Sequence, residues 1–225
     1  AALAAASHDG LTSLFVAAAQ GHLAVAHLLL AARINPNQAT HEGLTPFSVA
    51  VAEGHVEVAE FLSHSRAEFS QPDSQNGGTT PLLAAATQGH LEIVQLLCHQ
   101  LPATKTAQQD VMNSLFFAAS QGHVRLVRSL CKAAVARGLA WTRAASTALF
   151  AAASGGLVEV LDFLCEARAP LDASKDGITA LAAAAAHGQL ESVRFLCSAG
   201  ADKDWASPEG ITALSMAAAE GHLQV

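Results

Sequence analysis

The fold follows from one stretch of sequence, TPLLAAATQGH at residues 80–90. A large apolar residue near its start is followed seven residues later by glycine, and this spacing recurs along the chain. The seven pairs are Leu14 and Gly21, Phe47 and Gly54, Leu82 and Gly89, Leu115 and Gly122, Leu149 and Gly156, Leu181 and Gly188, and Leu214 and Gly221. Successive glycines of this series lie 32 to 35 residues apart. Such a period is typical of solenoids built from repeated supersecondary units.

Each repeat predicts two helices joined by a short turn. Thr45 and Thr80 stand where a side-chain oxygen caps a helix N-terminus, and a proline follows each of them at the first helical position. An alanine-rich helix then runs to the glycine, which ends it. The second helix carries apolar residues at helical spacing, as in residues 58–62.

The composition excludes several classes of protein. Hydrophobic residues make up 51% and charged residues only 14% of the chain, whereas disordered chains are more charged and less apolar. No apolar run reaches the roughly 18 residues of a membrane-spanning helix, so we expect no direct membrane insertion. The formal net charge is −7. Because nucleic-acid binding requires a positive footprint, we expect no nucleic acid as a partner.

Two segments carry a family resemblance. Residues 45–50 read TPFSVA and residues 80–85 read TPLLAA, where the ankyrin repeat has Thr-Pro-Leu-His-x-Ala. The sequence therefore resembles the ankyrin repeat family, and the resemblance covers essentially the whole chain. It implies an all-α fold, an ankyrin-type solenoid of stacked helix-turn-helix repeats with projecting hairpin-like loops. It also implies a concave groove that binds protein partners.

A single repeat array is expected over residues 1–225. Its predicted repeats are 10–42, 43–77, 78–110, 111–144, 145–176, 177–209 and a partial seventh at 210–225. The 35-residue spacing between Gly54 and Gly89 predicts an enlarged loop near residues 71–78. Neither end has the polar outer face that terminal repeats need, so the sequence is expected to be part of a longer protein.

Repeats four and five depart from the family pattern. Residues 111–114 read VMNS, without the loop glycine and the capping threonine, and residues 145–147 read AST, again without the glycine. Irregular loops are therefore expected here. The histidine of the family motif is absent from every repeat, and Phe116 and Phe150 replace it in these two. We expect apolar packing instead of the hydrogen-bond ladder that this histidine supplies.

The positions that the repeat leaves free are the candidate binding residues. Those just before the repeat glycine face the groove by resemblance: Gln20, Glu53, Gln88, Gln121, His187 and Glu220. A second series of apolar residues is predicted at the loop tips: Leu11, Leu44, Met112, Ile178 and Ile211. Repeated exposed apolar residues mark a contact surface, or they pack against the neighbouring loop; both interpretations stay open.

Charge is unevenly distributed among the repeats. Basic residues gather in repeats four and five, at Arg125, Arg128, Lys132, Arg137 and Arg143, whereas repeat two is acidic. This polarity either orients a partner or reflects a solvated face.

Cysteine and histidine follow the repeat. The cysteines lie nine residues after a repeat glycine, at Cys98, Cys131, Cys165 and Cys197. Stacked helices about 8–10 Å apart hold equivalent cysteines too far apart for a disulfide, and thiols that form no disulfide suit an intracellular, reducing compartment. Histidine directly follows five of the glycines, where an imidazole can hydrogen-bond the backbone of its own or a neighbouring loop. No metal site, cofactor or catalytic residue is predicted, so we do not expect an enzyme.

The leading hypothesis is a non-enzymatic scaffold for protein–protein interaction, which binds a partner through the concave groove and the loop tips. Two alternatives remain. The first is that the chain is a regulatory or targeting segment of a larger enzyme or channel. The second is that it is a structural subunit of a large assembly.

Overall fold

A computed structural model describes residues 7–8, 10–65, 79–102, 104–136, 138, 140–175 and 177–224. The enlarged loop predicted near residues 71–78 lies outside this range, as does Arg137. The chain divides into two compact units, Ala1–Pro102 and Ala103–Val225. Helices make up the regular secondary structure of the described residues, and the β-pairing among these residues consists of two isolated bridges, which join Lys175 to Ile178 and Ala206 to Thr212. The predicted all-α class is confirmed.

The first unit consists of helix pairs. Its helices are α1 (Ser13–Ala19), α2 (Leu23–Ala31), α3 (Pro46–Ala52), α4 (Val56–His64), α5 (Pro81–Gln88) and α6 (Leu91–Gln100). The first helices of the pairs, α1, α3 and α5, pack side by side. The second helices, α2, α4 and α6, form a layer behind them. This arrangement is the stacked helix-turn-helix array that the period predicts.

Threonine caps start the first helices of this unit. The Thr12 side chain accepts a hydrogen bond from the Phe15 amide at 3.1 Å, and the Thr80 side chain accepts one from the Leu83 amide at 3.3 Å. Thr45 and Ser48 cap each other reciprocally, because each side-chain oxygen accepts the other's backbone N–H. These bonds satisfy amides that have no partner within the helix. The predicted caps are confirmed.

The second unit mixes short and long first helices. Its helices are α7 (Lys105–Ser120), α8 (Val124–Ala136), α9 (Trp141–Ser154), α10 (Val158–Glu166), α11 (Ala180–Ala186), α12 (Leu190–Ser198) and α13 (Ala213–Ala219). Helices α7, α9, α11 and α13 pack in that order, with α8, α10 and α12 behind them. α7 has 16 residues and α9 has 14, whereas α11 and α13 have seven each.

The irregular loops expected at the starts of repeats four and five are helical instead. α7 begins after a Thr104 cap, so the residues that the repeat register assigned to a loop lie inside the helix. Thr147, which occupies the capping position of repeat five, lies within α9 and donates its hydroxyl to the Arg143 carbonyl at 3.0 Å. Without glycine or proline to break them, these segments extend the helices toward their N-termini.

Small side chains build the core. In α11, six of the seven residues are buried, and five of those six are alanine. Alanine has the highest helix propensity, and its short side chain lets α9 and α13 pack closely against α11. Larger apolar residues complete the interior, and Leu14, Phe47 and Leu149 are examples with almost no exposed surface.

Candidate functional site

The six predicted groove residues share one structural position. Each lies at the C-terminal end of a first helix, and each has an exposed side chain. Gln20, Glu53 and Gln88 end the adjacent helices α1, α3 and α5 of the first unit. Gln121, His187 and Glu220 end helices α7, α11 and α13 of the second unit. Within each unit they therefore form a row at the same end of the first-helix layer.

A polar bond between repeats holds this end of the helices. The His55 imidazole donates Nε2–H to the Ala19 carbonyl at 3.0 Å, and His90 makes the same bond to Ala52 at 3.0 Å. In the second unit His222 bonds the Ala186 carbonyl at 3.1 Å. We call such a bond a rung. Each rung reaches from one repeat to the helix end of the repeat before it, beside a predicted groove residue.

Gln189 shows that the rung does not require an imidazole. Its side-chain amide donates to the Ser154 carbonyl at 3.2 Å, in the place that histidine takes elsewhere. The predicted hydrogen bond of the post-glycine histidines to a neighbouring loop is confirmed for His55, His90 and His222. A ladder is therefore present even though the family's motif histidine is absent. A residue after the glycine supplies it.

The repeat glycine is required by the rung. Gly188 has φ +64°, and a Cβ built on it would lie 2.7 Å from Nδ1 of His222. Gly54 has φ +82°, and its Cβ would lie 2.7 Å from Cε1 of His90. Glycine therefore serves two purposes here, since it takes the left-handed conformation and leaves room for the next repeat's rung.

In the second unit, the described junction between repeats four and five is apolar. Leu157 takes the place of histidine in repeat five, and its methyl groups lie beside Gly122 and Gly155. The side chain offers no donor to the Ser120 carbonyl, which is the counterpart of the rung acceptors. Apolar packing therefore replaces the hydrogen bond between repeats four and five.

The predicted loop tips are not alike. Leu11, Leu44 and Ile178 are half-buried, and Ile211 is 46% exposed. Met112 is wrong as a loop tip, because it lies inside α7 and is only 6% exposed. The lengthened helix has removed the loop that would have carried it.

Short polar side chains fix three of these loops, a feature that the repeat pattern did not predict. The Leu11 amide donates to Oγ of Ser7 at 3.2 Å. The Leu44 amide donates to Oγ1 of Thr40 at 3.2 Å, and the Ile211 amide donates to Oγ of Ser207 at 3.2 Å. The sequence signal for these bonds is a Ser or Thr four residues before the apolar residue. In each case a glycine directly precedes the apolar residue.

A cleft of about 450 Å³ opens in the second unit between α7, α9 and the loop before α11. Its lining residues are Gln109, Met112, Asn113, Phe116, Phe117, Arg143, Ser146, Thr147, Ser174 and Lys175. The Lys175 ammonium lies 4.5 Å from the ring centre of Phe116 and 4.9 Å from that of Phe150. A smaller cleft of about 280 Å³ adjoins it and adds Lys105 to the lining. The cleft therefore combines cations with aromatic rings.

Two cysteines of the second unit have a packing role. Burial raises the pKa of the Cys131 thiol to about 12. Burial, and next the Asp162 carboxylate, raises the pKa of Cys165. Such thiols remain protonated and unreactive at neutral pH. Within the described ranges, no three His, Cys, Asp or Glu side chains are placed to hold a metal ion.

No helix among the described residues is both long and apolar enough to cross a bilayer.

Paired helices that stack, with a left-handed glycine in the turn of each repeat, define a helical repeat solenoid. A family model described as "Ankyrin repeats (3 copies)" matches residues 2–73, 67–138 and 115–207. The chain therefore belongs to the ankyrin repeat family, whose domains generally mediate protein–protein interaction.

Solved structures agree with this assignment. The chain is 25% identical to the human ASB11 ankyrin repeat domain, with a TM-score of 0.71 over 95% of this chain and 96% of that one. It is 22% identical to the ankyrin repeat domain of Bcl-3, a member of the IκB protein family, with a TM-score of 0.72 over 93% of this chain and 95% of that one. The second likeness concerns the fold alone. No curated protein matches the chain significantly.

Proposed function

We propose that the chain is a non-enzymatic scaffold that binds a protein partner through the first-helix ends and the neighbouring loops. The observation that carries the proposal is the common position of the six groove residues. They are exposed at the C-terminal ends of the first helices, and rungs of 3.0 to 3.1 Å fix the backbone beside Gln20, Glu53 and His187. A preordered surface loses little conformational freedom on association, so such a row favours binding.

The residue types favour a polar contact of moderate strength. Three of the six are glutamine and two are glutamate. A glutamine amide both donates and accepts hydrogen bonds, and a glutamate carboxylate accepts them. The residue before each is small, as in Ala19, Ala52 and Ala186, which lets a partner approach the backbone. At the loop edge, the exposed Ile211 and the half-buried Leu44 add apolar surface. An intracellular, reducing compartment remains part of this proposal, and the buried thiols favour it.

The test compares two glutamines of the first unit. Gln88 is exposed at the end of the first helix α5, and Gln95 is exposed on the second helix α6. Gln88→Arg should remove partners that the wild-type chain captures from a cell lysate, since a long charged side chain obstructs the groove. Gln95→Arg introduces the same chemical change on the other face and should retain them.

Gln121→Arg repeats the test in the second unit. Circular dichroism and thermal melting establish that each variant keeps its helices. Equal capture by all four proteins, measured by quantitative mass spectrometry, would refute binding at the first-helix ends.

A further inference from the structure

The cleft of the second unit carries a charge that the described residues leave unneutralised. Arg143 and Lys175 line it, and Lys105 lines the adjoining cleft. No aspartate or glutamate is among the lining residues. The only salt bridge among the described residues joins Arg194 to Glu191, away from this site. These cations are therefore available to a ligand.

Two aromatic rings hold one of these cations. The Lys175 ammonium rests over the rings of Phe116 and Phe150 at 4.5 and 4.9 Å. A cation–π contact holds an ammonium without consuming its hydrogen-bond donors. The N–H groups of Lys175 can therefore bind an acceptor in the cleft.

Polar and apolar groups stand beside the cations. Gln109 donates Nε2–H to Oδ1 of Asn113 at 2.9 Å, which leaves the Asn113 Nδ2 donor and the Gln109 Oε1 acceptor to pair with a peptide backbone. Phe117 is 40% exposed and lies at 5.7 Å from Phe116, edge to face. It offers an apolar contact for one large side chain of a ligand.

We propose that this cleft docks an acidic peptide segment of a protein partner, with one large apolar residue near two or more carboxylates. The carboxylates pair with Arg143 and Lys175, and the apolar side chain packs on Phe117. Charge complementarity argues for this occupant. The chain has a net charge of −7, whereas the described lining of this cleft holds cations and no carboxylate, so the cleft is complementary to an acidic segment. The proposal rests on the scaffold function and names the chemistry of the partner.

The site exists because repeats four and five differ from the others. Their first helices extend by about two turns into the space where a hairpin loop would project. The extension places Gln109, Asn113 and Arg143 opposite the loop that carries Lys175. A regular repeat would present a hairpin in their place.

Selection from a library of random twelve-residue peptides, with the full chain as bait, tests the proposal. We expect enrichment of peptides with Asp or Glu within about three residues of a large apolar side chain. Arg143→Glu should reduce the affinity of the selected peptides at least tenfold. Replacement of the peptide's carboxylates by amides should have a similar effect. Lys203→Glu, which inverts one exposed charge elsewhere in the unit, is the matched control and should leave the affinity within twofold.

A second variant separates binding from folding. Lys175→Met removes the ammonium and keeps an apolar stem on Phe116 and Phe150, so the helices should persist while peptide affinity falls. Enrichment without acidic residues, or binding unchanged by Arg143→Glu and Lys175→Met, overturns the proposal. So does binding that needs a phosphorylated peptide. If these variants still capture the lysate partners that Gln88→Arg loses, the cleft proposal fails while the scaffold proposal stands.

Discussion

Two junctions between first helices of the second unit are held together by different contacts. Between α11 and α13 the junction is regular, with Thr179 and Thr212 as caps and a rung from His222 to the Ala186 carbonyl. Between α7 and α9 the first helices are twice as long, and Leu157 replaces the rung residue. The regular junction uses local polar bonds, whereas the irregular one uses apolar contact over a longer helix interface.

The difference shows what the repeat requires and what it tolerates. The interval between glycines and the large apolar residue are kept at both junctions, and Leu149 and Leu181 are both buried. Caps, hairpin loops and rungs can be replaced by other contacts. A repeat without them remains in the stack as long as longer helices supply additional buried contact.

The largest expected effect is at the regular junction's glycine. Gly188→Ala should destabilise the chain by about 2–4 kcal/mol, because φ +64° is strained for alanine and the new Cβ would meet His222 at 2.7 Å. Gly177→Ala is the control, since φ is +79° and no atom lies within 4 Å of its Cβ. It should lose only about 1–2 kcal/mol. Urea unfolding measures both, and equal losses would show that the rung imposes no steric limit.

At the irregular junction the same substitution should cost less than at Gly188. The Cβ of Gly122→Ala would lie 3.3 Å from a Leu157 methyl, which can rotate away. We expect a loss of about 1–3 kcal/mol, chiefly from the left-handed backbone. A loss above that of Gly188→Ala in the same urea titration would reverse the proposed order.

The second-helix layer allows a test by pH. The Cys131 thiol of α8 has its pKa raised to about 12 by burial, from a usual 9.0. Its contribution to stability is fully present below pH 9 and is lost as the pH rises toward 12, because the unfolded chain ionises first. Between pH 8 and pH 10 the wild type should lose about 1 kcal/mol more than Cys131→Val does. Parallel pH profiles of the two proteins would contradict the burial of this thiol behind α7 and α9.

Two threonines at equivalent repeat positions should differ in importance. Thr179→Ala removes the cap bond to the Ala182 amide at 3.2 Å and should cost about 1 kcal/mol. Thr147→Ala removes only a bond to a carbonyl within α9, while alanine favours the helix interior. We expect a change below about 0.5 kcal/mol. Chemical unfolding of the two variants provides the comparison, and similar losses would mean that α9 needs its threonine as a cap.

The smallest effect concerns restoring a rung. Leu157→His should place a donor beside the Ser120 carbonyl. We expect this bond to raise the free energy of unfolding by at most about 1 kcal/mol. A hydrogen-exchange measurement of the amides at the end of α7 would report the new bond. Faster exchange there than in the wild type would show that the leucine contact is the better solution at this junction.

The regular parts of the fold were predictable because their determinants are local. A threonine, sometimes a proline, an apolar residue and a glycine at fixed intervals specify cap, helix and turn within about ten residues. The post-glycine histidines were also predictable as hydrogen-bond donors, although their exact acceptors were not. Those acceptors lie 36 or 38 residues away along the chain, and only the packing of repeats brings them close.

The irregular parts could not be derived from the repeat register. Met112 was assigned to a loop because the register places a loop there, yet residues 105–113 contain no glycine or proline and continue the helix. The cleft depends on how α7, α9 and the Lys175 loop meet, which no local pattern encodes. Whether the predicted groove residues contact a partner remains a prediction.

The rungs also set the boundaries at which repeats can be exchanged. The glycine and its neighbouring acceptor carbonyl belong to one repeat, while the donor that needs both belongs to the next. Transplanting repeat five alone would therefore carry Leu157 to a carbonyl that had possessed a donor, and would separate Gln189 from its Ser154 acceptor. The donor and its acceptor lie 36 or 38 residues apart, which is more than one repeat period, so every cut between repeats separates a donor from its acceptor. Exchange of a repeat therefore preserves the rungs only when the incoming repeat supplies an equivalent donor, glycine and carbonyl.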